Sequence, residues 1–124
     1  MNAQTTTYSA VLGVILASLR KEFGKEQNDI AQKMGLSQAS YSRLESGKAT
    51  FSVDQMYQAS LALGVPDFDL MSRMNNMVGQ LRRNGVEVQP HIRANATKGG
   101  TLEVDEMLLG AALAALLIGL LSRK

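Results

Sequence analysis

Cysteine and tryptophan are absent from the 124 residues, and there are only two prolines and one histidine. Without cysteine there is neither a disulfide framework nor a thiolate zinc site. His91 stands by itself, and one histidine does not make a metal site; no metal and no cofactor is expected. The scarcity of proline, with few β-branched runs, favours helix. Charge of one sign is also lacking: thirteen Lys and Arg face eleven Asp and Glu. Bulk charge therefore argues for no polybasic or polyacidic partner, and any nucleic-acid site must be a local constellation. No basic stretch precedes an apolar run near Met1, so a signal peptide is not expected. Lack of cysteine fits a cytoplasmic protein. The apolar content of 45% is enough for a core, in one domain or a small domain with appendages.

What is present centres on Gln27 to Gly47, QNDIAQKMGLSQASYSRLESG. Ile30, Ala31 and Met34 mark one helical face. Gly35 suits a left-handed turn after that helix, and Leu36 is an apolar plug. Ser37 can cap a second helix, Ser37 to Ser46, in which Tyr41 and Leu44 face inward. Gln38, Ala39, Ser42 and Arg43 remain on the outer face, and these types suit base edges and phosphates. The spacing describes a helix, a short glycine turn and a second helix.

At these residues the chain resembles the lambda-repressor/Cro-like (XRE-type) helix-turn-helix family. Gln27, Ile30, Ala31, Met34, Gly35, Leu36, Ser37, Tyr41, Leu44, Glu45 and Gly47 fit its pattern in register. The resemblance runs from about Val11 to Leu70. It implies that residues 37–46 form the recognition helix and enter the major groove. Gln38 would then pair with adenine, Ala39 pack on a thymine methyl, and Arg43 fork onto guanine or grip a phosphate. Gln27, Ser40, Ser42 and Lys48 are the implied phosphate contacts. The resemblance also implies an ion pair between Arg20 and Glu45. Two positions depart from the family habit: Phe51 stands where a proline is common, and Ser46 where a basic residue is common.

Around this unit the periodicity predicts an all-α architecture. A loose arm, residues 1–7, precedes a helix from Tyr8 to Phe23 with Val11, Leu12, Ile15, Leu16, Leu19 and Phe23 on one side. Residues 8–68 form the DNA-binding domain, with further helices from Val53 to Leu63 and from Asp67 onward. The last of these extends through residues 69–84, where Leu70, Met74, Met77 and Leu81 step by four, three and four. Such a seam either pairs two copies or lies on its own domain, and pairing is preferred. Residues 85–101 read as a linker, with Val86 to Gln89 a candidate short strand. Arg82, Arg83, Arg93 and Lys98 form a loose basic zone.

Residues 102–124 are expected to be a separate apolar helix. Met107 to Leu121 holds no polar side chain, so it must enter a core, an oligomer or a bilayer. The run spans about 22 Å as a helix, short of a roughly 30 Å hydrocarbon core. An oligomerisation helix is therefore preferred to a membrane tail, with Ala111, Ala115 and Gly119 as a close-approach stripe. The functional expectation is a dimeric, sequence-specific transcriptional regulator of repressor type bound to double-stranded DNA, not an enzyme. An antitoxin with a toxin partner and a membrane-tethered or self-assembling DNA-binding scaffold are the alternatives.

Overall fold

The computed structural model describes residues 4–90 and 107–122. The elements run β1 Gln4–Thr7, α1 Tyr8–Glu22, α2 Gln27–Met34, α3 Gln38–Glu45, α4 Val53–Leu63, α5 Asp67–Arg83, β2 Val86–Gln89 and α6 Gly110–Ser122. The helical reading holds, and the helix-turn-helix is α2 and α3. Arg93, Lys98, Arg123, Lys124 and most of the expected linker lie outside the described residues.

Local chemistry sets the boundaries. Thr7 accepts from the Ala10 amide at 3.0 Å and caps α1. Gly35 takes φ +74° and ends α2 in the left-handed region. Ser37 accepts from the Ser40 amide at 3.1 Å and starts α3. Ser52 and Gln55 form a reciprocal capping box at α4.

The core is built on α1, whose residues Ser9 to Leu16 are all buried. A Cβ at Gly13 would sit 2.5 Å from the carbonyl oxygens of Leu44 and Glu45. Only glycine lets α1 cross the end of α3 in backbone contact. Ile30, Ala31, Met34, Tyr41 and Leu44 close the same core from α2 and α3.

Three expectations need correction. The N-terminal arm is not loose from Gln4 onward: β1 pairs in parallel with β2, Gln4 to Val86 through Thr7 to Gln89. Thr5, Thr6 and Thr7 are buried there, and β2 takes up four residues of the expected linker. The proposed seam on α5 is core. Leu70, Met74 and Leu81 are buried, and Met77 is half-buried against them. Helix α5 lies on α1 and β2 of its own chain, which leaves those side chains no surface for a second copy. Finally, the C-terminal helix does not stand apart. It packs along α1, burying Leu113 and Leu117, while Ala111, Ala115 and Gly119 stay exposed. No helix among the described residues is long and apolar enough to cross a membrane.

Candidate nucleic-acid interface

Helix α3 is short and two-sided. Tyr41, Leu44 and Glu45 are buried, whereas Gln38, Ala39, Ser40 and Arg43 are exposed. Gln38, Ala39 and Arg43 share one outward face at spacings of one and four, so three expected base-contacting residues are brought together. Ser40 lies beside them, its hydroxyl accepting from the Ser37 hydroxyl at 3.0 Å. The loop after α3 is tied down. The amides of Lys48 and Ala49 both donate to the Arg43 carbonyl, at 2.9 and 3.2 Å. Phe51, which replaces the common proline, is half-buried against the core, and its amide donates to the Ser9 hydroxyl at 3.0 Å. Lys48 is thus carried on a fixed loop and remains exposed.

Beneath this face sits the ion pair. The Arg20 Nε donates to Glu45 Oε2 at 2.7 Å and Nη2 donates to Oε1 at 3.1 Å. This two-pronged geometry fixes α1 to α3. The remaining Arg20 nitrogen donates to the Lys25 carbonyl at 2.9 Å. The two side chains are 11% and 6% exposed, so the pair is largely out of water. Burial alone would push the Glu45 carboxyl up. The Arg20 and Gln27 hydrogen bonds outweigh it and hold the group below the usual carboxylate range. Tyr41 lies against the pair, its hydroxyl buried without a well-formed hydrogen bond among the described residues. Burial above all, and then the Glu45 charge, push that hydroxyl up and keep it neutral.

Two of the expected phosphate contacts are placed differently from the rest. Gln27 opens α2 but turns its amide inward, donating to Glu45 Oε1 at 2.9 Å. Its helix end also carries acids, since the Asp29 carboxylate accepts from the Glu26 amide at 2.8 Å. Ser42 is half-buried and lines a groove against α6. Sequence reasoning missed the inward turn of Gln27. It also missed five exposed apolar side chains, Val53, Tyr57 and Leu61 on α4 and Phe68 and Met71 on α5. The four-residue spacing of the first three was the available signal.

Residues 16–70 match the helix-turn-helix family. No curated protein sequence matches the chain. Among solved structures, the chain is similar to the clp gene regulator ClgR from C. glutamicum, with 25% identity and a TM-score of 0.53 over 56% of this chain and 90% of that one. A second structure of ClgR from Corynebacterium glutamicum aligns at 22% identity and a TM-score of 0.58, over 62% of this chain and 82% of that one. The restriction-modification controller protein C.Esp1396I, seen as a tetramer in complex with its natural 35 base-pair operator, is 19% identical with a TM-score of 0.52. That match spans 56% of this chain and 91% of the controller and concerns the fold.

Proposed function

We propose, from the match of residues 16–70 to the helix-turn-helix family, that the chain is a sequence-specific transcriptional regulator that binds double-stranded DNA as a dimer. The observation that carries this reading is the outer face of α3, where Gln38, Ala39 and Arg43 stand exposed together over a rigid, ion-paired floor. Gln38 reads adenine, Ala39 meets a thymine methyl and Arg43 forks onto guanine. Ser40 and Lys48 bind phosphates on either side; Ser42 and the second amide proton of Gln27, whose first is held by Glu45 Oε1, add to them on the flank nearer α6. We read it as a repressor, blocking polymerase where its site overlaps a promoter.

The dimer needs a surface other than the α5 seam. Val53, Tyr57 and Leu61 repeat every four residues along α4, and α5 adds Phe68 and Met71. Leu61 is 82% exposed and Phe68 69%, unusual for side chains of that size. A face of this kind suits an isologous contact, in which one patch meets its own copy across a two-fold axis.

Arg43→Ala tests the reading. Loss of a guanine fork costs about 1–3 kcal/mol on a selected duplex and little on random duplex. Equal loss on both would make Arg43 a phosphate contact and remove the base-reading role.

A further inference from the structure

The C-terminal segment is fastened at three places: to β1, to the end of α3 and along α1. First, Met107 bridges Thr5 in parallel, the Leu108 amide donates to the Thr5 carbonyl at 2.7 Å, and the Thr6 hydroxyl donates to the Leu108 carbonyl. Second, the Gly110 amide donates to the carbonyl of Ser46, the C-cap of α3, at 2.9 Å. A Cβ at position 110 would lie 2.9 Å from both the Cα and the carbonyl oxygen of Ser46, so no side chain fits there. Third, Leu113 and Leu117 are buried on the far side of the junction. The glycine junction is specific to this docking: a helix merely covering apolar surface has no need of backbone contact with α3.

Docking has a consequence for the DNA face. Helix α6 forms one wall of a groove of about 470 Å³, presenting Ala111, Ala114 and Ile118. The facing wall includes Gln27 and Ser42, the two flank residues assigned above to phosphate. A phosphodiester drawn up to them would lose hydration against an alanine and isoleucine surface that returns no hydrogen bond. The positive end of α6 gives little in exchange. Its leading amide already meets the Ser46 carbonyl, so opposite helix-dipole ends face each other.

We propose that residues 107–122 are an autoinhibitory strap: α6, locked to Ser46 through Gly110, occupies the flank of α3 along which the DNA backbone must reach Gln27 and Ser42. Docked tail and full DNA engagement exclude one another. The proposal rests on the reading of α3 as the DNA-contacting helix.

The experiment compares the full chain with full-length Gly110→Val on a random-sequence duplex at low salt, where backbone contacts dominate. Gly110→Val should bind about tenfold more tightly, within the range of ordinary coupling between two sites. Hydrogen exchange on the unaltered chain gives a second readout that needs no substitution. Adding duplex should speed exchange of the α6 amides while slowing that of α3. Equal or weaker binding by Gly110→Val, or slower α6 exchange on DNA, overturns the strap and leaves the reading of α3 standing. Failure of both proteins to bind any duplex overturns the reading of α3 and the strap with it.

Discussion

Two of the exposed faces among the described residues differ in kind. The outer face of α3 is polar: Gln38, Ala39, Ser40 and Arg43, short or forked side chains with donors and acceptors. The outer face of α4 and the start of α5 is apolar: Val53, Tyr57, Leu61, Phe68 and Met71. A polar face costs nothing to leave in water, so its exposure alone says little. The rigid ion-paired floor beneath it is what marks it as a surface held in shape for a partner. An apolar face of five large side chains is different, because water disfavours it directly. On the proposed function the first face meets DNA and the second meets another copy of the chain.

The comparison is broken most forcefully from beneath the polar face. Glu45→Ala strands the Arg20 guanidinium with the Lys25 carbonyl as its remaining hydrogen-bond partner among the described residues. Leaving one half of a buried pair costs about 3 kcal/mol, to be read from the denaturation midpoint. The same group gives the stability an acid limb. The folded-state pKa of Glu45 is lowered, so its contribution is fully present above the unfolded value of roughly 4.3. It is lost as pH falls through the lower, folded value, and Glu45→Gln should flatten that limb. An unchanged midpoint and limb would mean that the pair does not hold α3.

On the apolar face, Leu61→Glu places a charge where the second copy must dry the surface. Dimerisation should weaken about 100-fold, or about 2.7 kcal/mol, while the folded monomer is untouched because Leu61 contributes nothing to the core. Sedimentation across a concentration series reads this. An unaltered dimer would move the contact away from α4. The smallest effect belongs to the rim of the polar face. Lys48→Ala should lower affinity evenly on all duplexes and reduce the salt slope by about one.

How much of this was legible in the sequence depended on whether the signal was local. The turn at Gly35 and Ser37 was legible because punctuation and capping act within a few residues. The Arg20–Glu45 pair came from the family resemblance, and the 2.7 Å contact agrees with it. Leu70, Met74, Met77 and Leu81 were correctly seen as one apolar face, but periodicity does not say what covers a face. The cover turned out to be α1 and β2. Met107 to Leu121 posed the same problem with part of the same answer: Leu113 and Leu117 are covered by its own domain, while Ile118 and Leu121 stay exposed. Gln4–Thr7 carried no strand signal, since its four residues lack apolar alternation and its partner begins at Val86. Gly13 was the overlooked clue: a glycine inside an apolar helical run marks close backbone approach, here to Leu44 and Glu45.

On the proposed function a dimer reads DNA through the outer face of α3. Selection of bound sites from a random duplex pool, run in parallel with the unaltered chain and Arg43→Ala, tests it most directly. The expected outcome is an inverted repeat whose half-site centres lie about 34–36 Å apart, one turn of DNA, with a guanine in each half-site that Arg43→Ala no longer requires. A single unrepeated motif, or the same guanine preference in both proteins, would contradict it.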